Sequence, residues 1–484
     1  MREEINQILK KGYLISKDFI EALPDKFDVE GFLNKLNGLE KKPIILTSEM
    51  LTESNNKLIS TDFKILRNYK EESKKREVQD FVDYFKLRYE NTKNLLIKRK
   101  ELQNTISINR VGMRTEREEV SLIGMVVSKN YTKTKNILVR IEDLTGIINI
   151  LISKNKPELF EIANDIVLDE VIGVTGVTGE NIIFVNDLFF PDIPVNNKLK
   201  RSANDEYIIF SSDLHLGSNK FFKDNFLRMI DWLNCNSGTE EQREIASKVK
   251  YLFITGDLVD GVGIHPGQDE SLEILDIYEQ YKILAEFLGK IRKDVKIILI
   301  GGNHDALRLS EPQPIIDKNL APDLYKLENV YCLSNPCLVN IGAYEGFEGF
   351  KILLYHGYSI PYYAENVESI RKGGKLQKID SIMKFLLQKR HLAPSHTSNL
   401  YVPHHKQDPL FIDDIPDFFV TGHIHKIMLS SYRNVTMIAG GCWIDRTVDQ
   451  ERRGIIPEPN KIVLVNLKDR NIKILNFEDE REIK

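Results

Sequence analysis

Along the second half of the chain, apolar residues gather in short unbroken runs: Tyr207 to Phe210, Tyr251 to Ile254, Val295 to Ile300, Ile352 to Tyr355, Phe418 to Val420 and Val435 to Ile438. Runs this short, rich in β-branched and aromatic residues, predict buried strands. Ahead of them come five further strand patterns, Val120 to Val127, Asn136 to Ile141, Gly146 to Ile152, Val171 to Val177 and Asn181 to Phe189, with a helix from Lys156 to Ala163 after the third. Elsewhere the spacing is helical. Val78, Phe81, Val82, Phe85 and Tyr89 lead into Leu95 and Leu96 as one helix, and Ile5, Ile8, Leu9, Phe19, Ile20 and Leu23 predict short helices near the start.

These patterns divide the 484 residues into a small helical domain (1–51), a polar linker (52–77), a connecting helix (78–119), a five-stranded domain (120–190), a second linker (191–204) and a large α/β domain (205–484). So long a chain exceeds one typical core. The first linker carries the basic run Lys74-Lys75-Arg76, of a kind that is usually a solvated face.

Candidate chemistry lies just after the strands. Five signatures follow five of the runs: Asp213-Leu214-His215, Gly256-Asp257-Leu258-Val259-Asp260, Gly302-Asn303-His304-Asp305, His356-Gly357 and Gly422-His423-Ile424-His425. In an open α/β sheet, ligands gather beyond the carboxyl ends of the strands, so residues far apart in sequence converge there. Asp, His and Asn bind first-row divalent ions. Two such ions roughly 3.5–4 Å apart can clamp a phosphodiester and acidify a water. The pair needs a bridging carboxylate, for which Asp257 offers two oxygens where an imidazole has one lone pair. Asp213, His215 and one of His423 and His425 would complete one ion, and Asn303, His356 and the other histidine its neighbour. Two carboxylates, Asp213 and Asp257, leave two dications with enough charge to attract a hydroxide and a diester. His304 is expected to face the scissile phosphate as an acid, with Asp260 bonded to its ring and raising its pKa.

These signatures resemble the calcineurin-like metallophosphoesterase superfamily, whose pattern is D-x-H, G-D-x-x-D, G-N-H-[DE], H and G-H-x-H. Within it, Gly261-Val262-Gly263, Glu311-Pro312-Gln313-Pro314 and Arg390-His391-Leu392-Ala393-Pro394 resemble the small subunits of archaeal family-D DNA polymerases, from about Phe81 to about Arg446. The resemblance implies an α+β multidomain fold: a small helical N-terminal region, an OB-fold β-barrel, then a metallophosphoesterase α/β sandwich. It implies a 3′ to 5′ exonuclease for proofreading, with Asp213, His215, Asp257 and His425 on one ion, Asp257, Asn303, His356 and His423 on the other, and Asp260 with His304 as an acid dyad. Related eukaryotic small subunits lose these ligands and serve as scaffolds; here every one is present. Protein phosphatases of the superfamily carry Arg directly after the second Asp, to grip a monoester, where this chain has Gly261.

Two divalent ions, Mn²⁺ first, are the implied cofactors, because a mixed His/Asp/Asn shell suits Mg²⁺ less. The implied partners are a large polymerising subunit and single-stranded 3′ ends of DNA; a free-standing repair nuclease and an inert assembly subunit are the alternatives. A net charge of −4 and a pI near 6.3 give no general affinity for nucleic acid, which fits a subunit whose partner holds the DNA. Local basic and aromatic residues between Gly357 and Pro416, namely Arg371, Lys372, Lys375, Lys389, Arg390 and His391 with Tyr358, Tyr362 and Tyr363, are candidates for holding the strand. The barrel would either bind a single strand through residues such as Lys129, Tyr131, Lys133 and Lys135 or serve as a docking platform. The four cysteines form no C-x-x-C pair, and no membrane span or signal segment is expected, which places the protein in the cytoplasm.

Overall fold

A computed structural model describes residues 63–70, 74–112, 117–404, 407–447, 450–451 and 454–478, with 8, 11, 13–16 and 45–46 before them. The chain divides into two compact units, 1–64 and 65–484. In the first, β1 (Leu14–Ile15) pairs in parallel with β2 (Ile45–Leu46). Ile5, Leu9, Phe19, Ile20 and Leu23, read above as helical, lie outside the described residues.

A strand, β3 (Phe63–Asn68), runs into the second unit and corrects the reading of 52–77 as linker. It forms the edge of a sheet, where only Phe63 is buried and Ile65 and Leu66 stay exposed, so its apolar residues show no period-two alternation. The Arg67 guanidinium donates to the Phe411 carbonyl (2.7 Å) and Asp413 (2.8 Å). The helix Val78–Leu96 follows; Tyr89 and Leu96 of the expected apolar stripe are buried, with Phe85 packed beside them, but its first turns are not. Val78, Phe81 and Val82 are exposed, while Tyr84 and Arg88 turn inward onto the buried Asp408, 2.9 and 3.2 Å away. Pairing with that carboxylate offsets the cost of burying a guanidinium.

Five strands then close a barrel: β4 (Glu119–Tyr131), β5 (Ile137–Asp143), β6 (Gly146–Ile152), β7 (Val171–Gly179) and β8 (Ile182–Phe189), in the order β4-β5-β6-β8-β7. Strict alternation puts Ile137, Val139 and Ile141 of β5 and Ile148, Ile150 and Ile152 of β6 inside. With the helix Pro157–Asn164 after the third strand, this is the OB arrangement.

The rest is a two-sheet sandwich. One sheet holds β9 (Tyr207–Ser211), β10 (Val249–Thr255), β11 (Lys296–Ile300) and β12 (Val330–Leu333) in parallel, with β18 (Lys461–Asn466) and β19 (Ile472–Asn476) added antiparallel beyond β9. The other contains β13 (Cys337–Ile341), β14 (Phe350–Leu354), β15 (Phe418–Thr421), β16 (Ile427–Tyr432) and β17 (Val435–Gly440), ordered β16-β17-β15-β14-β13-β3. Phe210 and Phe253 of the first sheet meet Phe418 and Phe350 of the second, with ring centres 5.7 Å apart between Phe210 and Phe418. Helices Lys223–Leu233 and Ile277–Leu288 cover one outer face and Ile379–Lys389 the other.

The segment 191–204 is no free linker: Ile193 is fully buried, the Asp192 amide donates to the Gln388 carbonyl (3.0 Å), and Lys200 pairs with Asp417 (3.0 Å). Between Gly357 and Pro416 the chain forms the seat of the barrel. Asp165 accepts from the Ser369 amide (2.9 Å), Asp169 from the His396 amide (2.8 Å), and Glu170 pairs with Lys389 (2.7 Å) with both side chains buried. Among the described residues no helix is long and apolar enough to cross a membrane.

Candidate metal centre

Parallel strands deliver the five signatures to one place. Asp213 and His215 follow β9, Asp257 and Asp260 follow β10, Asn303 and His304 follow β11, His356 follows β14, and His423 and His425 follow β15. Their ligand atoms form groups that share members: Asp213, His215, Asp257 and His425; Asp257, His356 and His423; and His215, Asp260 and His304. Asp257 belongs to the first two, the position a bridging carboxylate would take.

The backbone is bent to achieve this. Asp213 (φ 52°), His215 (50°), Asp257 (47°), His423 (70°) and His425 (57°) all stand in the left-handed region, at a cost of order 1–3 kcal/mol each. Such strain persists only where the surroundings over-determine it, and it gathers at functional sites. The loops interlock: the His304 amide donates to Asp257 Oδ1 (2.8 Å), and the His423 amide donates to both oxygens of Asp213 (3.0 Å each). Glycine is obligatory at the closest approaches, since a Cβ at Gly256 would strike the His356 ring and one at Gly302 the Asp257 carboxylate.

The donor set fits divalent cations. Asp260 Oδ1 lies 2.8 Å from His215 Nδ1, and the Thr255 carbonyl 2.9 Å from His356 Nδ1, so each ring donates backward and aims Nε2 into the cluster. That anchoring is usual for metal-bound histidine. His215 Nε2 then lies 3.1 Å from His425 Nε2 and 3.6 Å from Asp257, while His356 Nε2 lies 3.0 Å from Asn303 Oδ1 and 3.3 Å from Asp257. Side-chain nitrogens and oxygens converge there within coordination reach of one another. Burial disfavours charge on His356, yet Asp257 overrides it and pushes the ring up to about 10. His423 is instead pushed down to about 3 by burial and by His356.

His304 sits at the rim, a fifth of its side chain exposed and its ring centre 4.5 Å from that of His215. Its Nδ1 donates to the main-chain carbonyl of Asp260 (2.9 Å), whereas the Asp260 carboxylate is 3.6 Å away and bonds His215 instead. The expected side-chain dyad is therefore a main-chain contact, because one carboxylate oxygen is already engaged by a neighbouring ring.

Of the strand-binding candidates, Arg371, Lys372 and Lys375 are exposed, the latter two paired with Glu368 (2.5 Å) and Glu365 (2.8 Å). Gln377 meets Lys426, which joins this basic turn to the loop of His425. Lys389, Arg390 and His391 are corrected: all three are buried. The Arg390 guanidinium serves the Ile412 and Asp413 carbonyls, and His391 Nε2 bonds Asp408 (2.9 Å), with burial and Arg88 pushing its ring down to about 4.

Other supporting residues went unread in the sequence. Asp305 accepts from the Gly302 amide (2.8 Å), the Leu258 amide (3.2 Å) and the Tyr281 hydroxyl (3.0 Å), pinning two ligand loops together. Gln450 lies 2.6 Å from His425 Nδ1, and Gln268 donates to Asp260 Oδ2 (3.2 Å). Asp305 was in plain view within Gly302-Asn303-His304-Asp305; the two glutamines, Gln268 at the start of the 3₁₀ turn Gln268–Ser271 and Gln450 in a helical turn, carry no spacing signal.

The fold and this constellation define a phosphoesterase-like protein with an OB barrel in front of its catalytic-type domain. Residues 208–427 match the family of the B subunits of DNA polymerases alpha and epsilon. The DNA polymerase II small subunit of Methanothermobacter thermautotrophicus is 35% identical over 96% of this chain and 98% of its own length, and that of Archaeoglobus fulgidus 32% identical over 96% and 88%. The chain belongs to the archaeal DNA polymerase II small subunits. Among solved structures, an archaeal phosphodiesterase aligns with 56% of this chain and 98% of its own, at 13% identity and a TM-score of 0.27.

Proposed function

We propose that this chain hydrolyses DNA phosphodiesters at single-stranded 3′ ends, with two divalent ions, Mn²⁺ first, while serving as the small subunit of a polymerase whose large subunit synthesises DNA. The observation that carries the reading is the pair of ligand groups sharing Asp257, with His304 at their rim. One ion would be held by Asp213, His215, Asp257 and His425, the other by Asp257, Asn303, His356 and His423. When bound, the ions supply Lewis acidity toward the diester and acidify a water.

The chain's own residues do the rest. His304, fixed through Nδ1 by the Asp260 carbonyl, keeps Nε2 free to protonate the departing 3′ oxygen. Asp260 orients His215 through its carboxylate. A Cβ at Gly261 would collide with the His304 carbonyl, and φ there is +75°, so the phosphatase arginine has no place and a diester is preferred to a monoester. The exposed Arg371, Lys372 and Lys375, tied to the His425 loop through Gln377 and Lys426, offer cations along which a strand can leave.

The test is a 3′-labelled single strand incubated with the purified chain and Mn²⁺. The wild type should release the label; His304→Ala should lose at least about a hundredfold in rate while still binding two ions by elemental analysis. A chain that holds both ions and releases nothing is an assembly subunit. Co-purification with a much longer polymerase chain separates a subunit from a free-standing nuclease.

A further inference from the structure

Tyr358 follows His356 by two residues, in a turn held from every side. The Ile360 amide donates to the Gly357 carbonyl (2.9 Å), the Ser359 amide to the Tyr355 hydroxyl (3.1 Å), and the Ser359 hydroxyl to the Leu392 carbonyl (2.6 Å). Gly357 takes φ +115°, and a Cβ there would press on Ile360 and His423. Ser359 and Ile360 are fully buried, yet the Tyr358 ring beside them is partly exposed. Its centre lies 5.7 Å from that of His423, and its hydroxyl makes no hydrogen bond to the described residues.

The neighbouring aromatics are all engaged. Tyr355 and Tyr363 are buried, the latter accepting from the Ser395 amide (3.0 Å); Tyr362 bonds Thr397 (2.8 Å); Tyr401 stacks on Tyr84 at 5.0 Å. A rigid turn thus holds against His423 of the cluster a partly exposed aromatic ring whose hydroxyl makes no hydrogen bond to the described residues. An ordered, half-dry ring beside a phosphodiester site suits a nucleobase, because base and ring can stack without sequence preference and the ring loses little freedom in doing so.

Resting on the nuclease reading above, we propose that Tyr358 stacks on the base of the nucleotide whose phosphate enters the site, and so selects base-bearing ends. The experiment compares the wild type, Tyr358→Ala and Tyr358→Phe in Mn²⁺, on one oligonucleotide with an ordinary 3′ nucleotide and one ending in an abasic tetrahydrofuran residue. Tyr358→Ala should lose about tenfold or more in kcat/KM on the ordinary end, mostly through KM, as one base–aromatic stack predicts. It should match the wild type on the abasic end, and Tyr358→Phe should match the wild type on both. Equal loss on the two ends, or none on either, overturns the stacking role. A wild type that cleaves neither end overturns the nuclease reading and this one with it, whereas a wild type that cleaves both ends equally well overturns stacking alone.

Discussion

Glu311 has one carboxylate oxygen with two donors, the Tyr355 hydroxyl (3.0 Å) and the Asn399 amide, and the other buried without a partner. Burial outweighs those bonds and pushes its carboxyl from 4.5 up to about 7. Between those values the folded chain keeps a proton that the unfolded chain has released, so the stability this group allows is full below about 4.5 and is lost as pH rises through 7. Glu311→Gln keeps the shape and cannot ionise. Denaturant melts should therefore show the wild type losing on the order of 3 kcal/mol more than Glu311→Gln between pH 4.5 and pH 8. The candidate ligands, by contrast, were legible one by one, since Asp, His and Asn after a strand end are conspicuous. What the letters did not carry was orientation. Asp260 reads as the partner of His304, but its carboxylate turns to His215, and the basic Arg390 reads as a surface group although two carbonyls hold it inside.

At the level of elements, the contact between barrel and sandwich turns on Lys389, the last residue of the helix Ile379–Lys389, and Glu170, just before β7. Phe190 lies against the ammonium, with its ring centre 3.3 Å away. Burial pushes the Glu170 carboxyl up and the Lys389 ammonium down, so each depends on the other for its charge. Lys389→Ala leaves Glu170 alone in the interior and should cost about 3–5 kcal/mol in a chemical melt. The double variant Lys389→Met with Glu170→Gln should recover most of that, because replacing a whole buried pair is often neutral. Strands buried on both faces, such as β10 and β11, were readable from continuous hydrophobicity. The edge strand β3 was not: Phe-Lys-Ile-Leu-Arg-Asn buries one side chain and exposes three, and alternation weakens where one side of a strand has no neighbour. The helix Val78–Leu96 was found by its spacing, and Tyr89 and Leu96 do face inward, but Val78, Phe81 and Val82 turn outward where Tyr84 and Arg88, paired to Asp408, take the inner face.

Across the whole molecule, 71 acidic residues outweigh 67 basic ones, so the net charge of −4 gives no general attraction for phosphate. Of the basic turn, Lys372 and Lys375 already face glutamates. The chain by itself should bind a single strand with Kd on the order of 10–100 µM at physiological salt. Log affinity should fall against log salt with a slope no steeper than about 2, as three contacts at most would give. Fluorescence anisotropy across a salt series measures both, and replacing Arg371, Lys372 and Lys375 with Ala should flatten the slope.

The order of strands in the first sheet has a temporal side. β9 begins the sandwich, but its second neighbour, β18, is made only after every other ligand loop has left the ribosome. Until then β9 presents an open edge, and the Trp443 amide that donates to the Asp213 carbonyl (2.9 Å) is equally late to arrive. A chain that stops short of β18 therefore leaves the edge of β9 uncovered although its last candidate ligand, His425, has already been made.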